Sequence, residues 1–287
     1  MSDPAWPAPA KLNRFLHVVG RRADGYHLLQ TVFQFIDRCD YLSFSMRADG
    51  LIQRRGEVGG VPAEDDLSVR AARLLQRACD VRQGVTIAID KRLPLGGGLG
   101  GGSSDAATTL VALDHYWGTG LTTAELATLG LTLGADVPVF VHGRAAWAEG
   151  VGEQLTPLDD LDEPWFVVVA PACTVATGAV FSDPKLTQNS QPVTITDFVA
   201  GKVRNDCEAV VYERYPAVAA AARWLGAYGQ ARLTGTGACV FAAFAERSAA
   251  ERVLARLPSS LPGFVARGLN HSPLRERLRR ELPGARV

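Results

Sequence analysis

Apolar and polar positions change period several times along the chain. Residues 11–19, KLNRFLHVV, read as a strand, so Lys11, Asn13, Phe15 and His17 share one face. ADGY at 23–26 predicts a turn, with Asp24-Gly25 the hairpin signal. TVFQFI (31–36) and DYLSFSM (40–46) predict two further strands. In DDLSVRAARLLQRAC (65–79) the period lengthens: Leu67, Ala71, Leu74 and Ala78 line one helical face, and Asp66 stands where an N-cap belongs. VTIAID (85–90) returns to strand-like alternation. SSDAATTLVALDHYW (103–117) predicts a helix with Ala106, Leu110, Leu113 and Trp117 as its buried stripe and Gly118 as its stop. Thr122 and Glu125 form a capping box for a helix over 123–133, and GADVPVFVHG (134–143) turns into another short element.

An acidic, proline-bearing stretch, LTPLDDLDEP (155–164), predicts a boundary between a domain of residues 1–160 and one of residues 161–287. Beyond it WFVVVAP reads as a strand and 205–226 as helical. ARLT and CVFAAF read as strands around a glycine turn, SAAERVLARL as a helix and GFVARGL as a last strand. This order predicts an α+β sandwich of the ferredoxin-like kind. The C-terminal LRERLRRELPGARV reads as a solvated helix of Arg/Glu neighbours, not as a nucleic-acid arm.

Composition narrows the class. The chain has 287 residues, 47% hydrophobic and 21% charged, as in ordinary globular proteins of two domains. Thirty basic residues balance thirty acidic ones, which removes the general electrostatic case for a nucleic-acid or anionic-membrane partner. Five cysteines without a C-x-x-C pair predict neither a disulfide framework nor a zinc site. No signal-peptide pattern opens the sequence and no apolar run approaches a membrane span of about 18 residues. The expectation is a cytoplasmic protein, a monomer or weak homodimer, with a small-molecule partner.

PLGGGLGGGSSD (94–105) stands out because six of the seven positions from Gly96 to Gly102 are glycine. Each costs about 0.5–1 kcal/mol of extra chain entropy relative to alanine. A glycine loop running into a helix start suits an anion: backbone N–H groups can point inward, no Cβ blocks approach, and the helix dipole adds positive charge. Ser103 and Ser104 add hydroxyls, and triphosphate is the natural guest. Three loop types compete. A P-loop would need lysine where Ser103 stands. A Rossmann fingerprint fits at Gly96, Gly98 and Gly101, but its strand should be apolar throughout and be followed by an acid-ended strand about 20 residues on. The third type is proline, two glycine clusters and two serines.

That third pattern, PLGGGLGGGSSDAA, resembles the phosphate loop of the GHMP small-molecule kinases. PAPAKLNRFLHVVGRRADGYHLLQTVFQFID, GLTLGADVPVFVHG and RLTGTGACVFAAF are similar to further segments of one branch of that family, in the same order, from Pro7 to about Phe244. The resemblance implies an N-terminal ribosomal-protein-S5-like domain and a C-terminal ferredoxin-like domain. It also implies ATP-dependent phosphorylation of the tertiary 2-hydroxyl of a cytidine-diphosphate-linked methylerythritol, with Mg²⁺ accompanying ATP. Other GHMP acceptors of the homoserine or mevalonate type, and a non-catalytic RNA-binding role on the S5-like fold, are the alternatives.

The resemblance carries over roles residue by residue. Asp136 becomes the base and Lys11 the catalytic lysine; local pattern alone makes Asp136 an N-cap and Lys11 a strand-end lysine. The nucleotide contacts fall on Pro94, Leu95, Gly96, Gly97, Gly98, Leu99, Gly100, Gly101, Gly102, Ser103 and Ser104. Asp66 lies near the adenine, where the family pattern has asparagine; aspartate can only accept hydrogen bonds, which puts base selectivity in question. Asn13 orients the acceptor. Tyr26 and His27, with Phe181 and Thr177, hold the cytosine. The second glycine turn, TGTGAC (234–239), either approaches the substrate diphosphate or is a plain hairpin. No residue is assigned as a metal ligand.

Overall fold

The computed structural model describes residues 5–281. β1 (Trp6–Arg21) and β2 (His27–Arg47) form a long antiparallel hairpin closed at the Asp24-Gly25 turn, where Arg22 N donates to Tyr26 O at 2.7 Å. The two strands expected at 31–36 and 40–46 are one. Between them the register slips from Ala10↔Ile36 to Pro9↔Cys39. A bulge thus absorbs the polar Asp37-Arg38 pair without ending the strand. β3 (Ile52–Arg55), α1 (Leu67–Ala78) and β4 (Gly84–Asp90) follow, β3 running parallel to β4. Asp66 caps α1 as expected, accepting from Ser68 N at 2.8 Å.

α2 (Gly101–Trp117) starts two residues before its expected position, at the end of the glycine run, and stops at Gly118. α3 (Thr123–Leu131) has its capping box, and α4 (Val137–His142) is the short element after it. β5 (Ala146–Glu149) and β6 (Gln154–Pro157) close the first half. The second half contains β7 (Trp165–Val169), α5 (Thr177–Phe181), α6 (Ile195–Val199), α7 (Glu208–Arg214) and α8 (Pro216–Gly226). The helix expected over 205–226 is therefore two. Pro216 has no N–H to continue the first, and Tyr215 before it is forced out of the helical region, at φ −125° and ψ 82°. β8 (Arg232–Leu233), β9 (Val240–Phe244), α9 (Arg247–Leu254), β10 (Gly263–Leu269) and α10 (Pro273–Glu281) complete the described chain.

One sheet runs through both halves in the order β3-β4-β2-β10-β7-β9-β8, with β1 and β5 also paired to β2. β10 is the splice, pairing Gly268 with Ile36 and Leu269 with Phe35. One apolar core gathers α1–α4 against β1, β2 and β4; a second gathers α7, α8 and α9 against β7 and β9. Between them Leu12, Ile36, Leu93 and Leu99 pack against Phe166, Val168, Cys239 and Phe241.

The C-terminal helix corrects an expectation. α10 is not a merely solvated helix: Leu274, Arg275, Arg277 and Leu278 are buried, and Arg277 lies over the Trp6 ring at 4.8 Å. Flat guanidinium groups cover aromatic surface well, so a strongly charged sequence can still bury a face. Residues 282–287 of the expected segment lie outside the described residues. No helix among the described residues is long and apolar enough to cross a membrane.

Candidate functional site

Strand alternation puts Lys11 and Asn13 on one face of β1, and that face looks into a cleft of about 430 Å³ between the hairpin and the glycine run. The Lys11 ammonium is buried, 3% exposed, and lies 3.2 Å from Asp136 Oδ2. It also donates to Asn13 Oδ1 and to Gly98 O, the latter at 3.1 Å, and sits 5.3 Å from the centre of the Phe33 ring. Asn13 is held from the other end, its Nδ2 donating to Thr31 Oγ1 at 3.0 Å. Both ends of the amide are thus engaged within the protein, yet Asn13 also lines the cleft, where an acceptor would meet it. Asp136 occupies the N-cap position of α4, yet its side chain makes no capping bond. It reaches into the cleft instead.

The glycine run lines the same cleft with all of residues 94–103 and is tied to β1 directly, Lys11 N donating to Leu99 O at 2.9 Å. The first bond of α2 is Ser104 N to Gly100 O at 2.8 Å. The amides of Gly101, Gly102 and Ser103 therefore have no partner within the helix and stand at its positive end. Ser104 does not follow the expectation: it is wholly buried, and its hydroxyl lacks a hydrogen-bond partner and does not line the cleft. Asp66 does not line the cleft either. Its two carboxylate oxygens are taken by Ser68 N and, at 2.7 Å, by Arg54, while its neighbour Leu67 reaches the cleft wall. The second glycine turn docks on the first loop: Ala238 N donates to Gly96 O and Cys239 N to Gly97 O, both at 3.1 Å.

A second cavity, about 540 Å³, opens beside the cleft and shares Leu29, Ala135, Val151, Thr177 and Phe181 with it. Tyr26 and His27 reach it from the hairpin turn. His27 stacks on Phe181 with ring centres 5.2 Å apart and planes 25° apart, while Tyr26, 64% exposed, forms the rim. Burial, and then Arg21, hold the His27 ring below its ordinary pKa. Its Nε2 is buried without a hydrogen-bond partner. Thr177 meets Thr236 of the second glycine turn, oxygen to oxygen at 2.9 Å. All four residues expected at this pocket are thus together.

The sequence reading missed a charged cluster beside the glycine run, whose Lys91 lines the cleft. Lys91 Nζ lies 2.6 Å from Asp40 Oδ2 and 2.6 Å from Asp105 Oδ2. The three come from β2, the approach to the loop, and α2, so no local pattern connects them. Taken together, the site offers a glycine loop ending in three amides without helical partners, a carboxylate–ammonium pair beside it, and a flat aromatic pocket with a polar edge.

The model of the GHMP kinases N terminal domain matches residues 66–144, and that of the GHMP kinases C terminal matches residues 199–263. A relative from Nitrosococcus oceani called 4-diphosphocytidyl-2-C-methyl-D-erythritol kinase is 59% identical over 269 residues, 94% of this chain and 96% of the relative. One of the same name from Alkalilimnicola ehrlichii is 58% identical over 280 residues, 98% of this chain and 96% of the relative. A crystal structure of 4-(cytidine 5'-diphospho)-2C-methyl-D-erythritol kinase superposes with a TM-score of 0.79 at 32% identity, covering 91% of this chain and 98% of that one. Homoserine kinase from Cytophaga hutchinsonii shares the fold alone, with a TM-score of 0.63 at 13% identity over 93% of this chain and 94% of its own.

Proposed function

The chain belongs to the GHMP kinases, in the branch named for 4-diphosphocytidyl-2-C-methyl-D-erythritol, and from that premise we propose that it moves the γ-phosphoryl group of ATP to the tertiary 2-hydroxyl of that cytidine-bearing acceptor, a step toward isoprenoid precursors. The observation that carries the reading is the Lys11–Asp136 pair, beside the glycine loop in a cleft continuous with the His27–Phe181 pocket. Asp136 takes the hydroxyl proton as the acceptor oxygen bonds to the γ-phosphorus and the bond to ADP breaks. Lys11 offsets negative charge gathering on the phosphoryl oxygens, and Asn13 holds its ammonium in place. The amides of Gly101, Gly102 and Ser103 grip the polyphosphate. His27 and Phe181 supply a stacking face and a ring edge for cytosine, with Tyr26 and Thr177 at its rim.

Mg²⁺ would accompany ATP, spreading charge over the phosphate oxygens. Among the described residues no group of three His, Cys, Asp or Glu side chains could hold a metal ion. The donor set therefore suits a Mg²⁺ carried mainly by phosphate oxygens and water, its usual mode in such sites. The further elements of this reading are a cytoplasmic monomer or weak homodimer without a nucleic-acid partner, and a division of the fold into domains at residues 160/161. Homoserine and mevalonate have no base to stack, so the aromatic pocket favours the cytidine-bearing acceptor over them. Kinase relatives at 54–59% identity displace the RNA-binding alternative.

ADP release measured separately with the three acceptors tests the assignment. Turnover with the cytidine compound alone is expected; equal turnover with homoserine or mevalonate overturns it. Asp136→Asn is expected to lower kcat by about 10²–10⁴ while an ATP analogue still binds. A near-normal kcat removes Asp136 as the base.

A further inference from the structure

Lys91 is one cation shared by two carboxylates, 2.6 Å from each. The two acids are not equivalent. Asp40 Oδ1 accepts from Arg92 N at 2.6 Å and Leu93 N at 2.8 Å, so its charge is matched by two backbone amides as well as by Lys91. Asp105 has only Lys91. Its Oδ1 is buried without a hydrogen-bond partner, and its side chain is 6% exposed. With all three groups charged, the cluster carries one net negative charge, its two carboxylates buried and its Lys91 15% exposed to the cleft.

That charge lies beside the glycine run, with Lys91 itself lining the same cleft. A Cβ built on Gly101, the first residue of α2, would stand 3.2 Å from Lys91 Nζ and 3.5 Å from Asp40 Oδ2. A polyphosphate held by the amides of Gly101–Ser103 adds negative charge next to Lys91, the cluster member nearest the loop, and so raises the cost of keeping both carboxylates around it ionised. Burial raises the Asp105 carboxyl to about 7; Lys91 opposes this and Asp40 adds to it. Burial also works against the Lys91 charge, but Asp105 and Asp40 outweigh it and hold the ammonium above its ordinary value. Asp66, at the start of α1, adds to the field on Asp105 and is itself paired with Arg54. Arg92 turns to Asp90, and Lys11 and Asp136 pair with each other beside the loop.

On the reading that ATP phosphates occupy the glycine loop, we propose that Asp105 is a positioning residue that takes up a proton from solvent when the nucleotide binds, leaving Lys91 and Asp40 as a neutral pair beside the phosphates. The proton goes to the orphaned Oδ1, and no other bond changes. Nucleotide affinity is therefore linked to pH through a side chain that need not touch the nucleotide. The linkage appears in ATP binding and KM, and not in kcat at saturating ATP.

The test is titration calorimetry of the full chain with a non-hydrolysable ATP analogue and Mg²⁺ at pH 8, in two buffers of different ionisation heat. At that pH Asp105 is largely ionised in the free protein, so wild type is expected to take up between about half a proton and one, and Asp105→Asn none. The wild-type Kd is expected to weaken by up to about tenfold between roughly pH 7.5 and 8.5, while the variant stays flat. Binding by wild type with no proton uptake overturns the proposal without any variant, and so does equal uptake by Asp105→Asn. Either result leaves the phosphate site standing. Analogue affinity unchanged by Gly102→Ala overturns the phosphate site itself, and this proposal with it.

Discussion

A methyl group added at Gly98 and one added at Gly102 would meet different surroundings. Gly98 sits at φ 74°, and a Cβ there would lie 2.1 Å from Thr234 O; Gly100, at φ 72°, would drive one to 2.8 Å from the Phe140 ring. At Gly102 the nearest atom would be a methyl carbon of Leu67 at 3.5 Å, an ordinary contact. Within one run, then, some glycines shape the loop and others keep it clear. Gly102→Ala is expected to leave the urea midpoint within about 0.5 kcal/mol of wild type while weakening ATP-analogue binding about tenfold or more. Gly98→Ala is expected to lose roughly 2 kcal/mol or more of stability, since its new side chain is both strained and clashing. The run of identical letters hides that division. The Lys11–Asp136 pair is hidden differently: its members are far apart in sequence, and the local pattern around Asp136 describes a cap that its side chain does not make. Only likeness to a family exposed it. The Lys91 cluster had no such guide.

At the scale of elements, periodicity located most helices and strands, and failed where something other than periodicity decides. β2 continues through a bulge, and α7 stops at a proline. α10 buries arginines that composition assigns to water. α1 illustrates coupling between elements. Asp66 both caps it and pairs with Arg54 of β3, the two side chains being 8% and 5% exposed. Arg54 also donates to Val61 O at 2.9 Å, so it ties the loop before the helix. Asp66→Asn can keep the cap but strands the guanidinium, and is expected to cost about 3 kcal/mol by denaturant titration. Adding Arg54→Met is expected to recover most of that loss, because an apolar side chain of similar reach needs no partner there. Failure of the second change to help would mean that the cap, not the ion pair, governs α1.

For the whole molecule, the acidic stretch at 155–164 marks a change of neighbourhood but not a break in the sheet, since β10 returns to pair with β2 and α10 adds Leu274 to the first core. Such long-range pairing leaves no local trace, so the continuity of the sheet was not legible. Phe166 lies at the middle of the seam, fully buried and edge-on to Phe241 at 5.6 Å. Phe166→Ala is expected to cost about 3–5 kcal/mol and still give one unfolding transition by both fluorescence and circular dichroism. Two separated transitions would mean that the halves unfold independently.

The contact between the two glycine turns has its own bearing on how the enzyme is built. Every glycine of the run belongs to the first half of the chain, but the surface against which three of them are moulded, Thr234 to Cys239, is synthesised about 140 residues later. A nascent first half would hold the letters of the loop without its contour. On the proposed reading of that loop as the ATP site, its final shape arrives late, as a certificate that the far end of the polypeptide has come home.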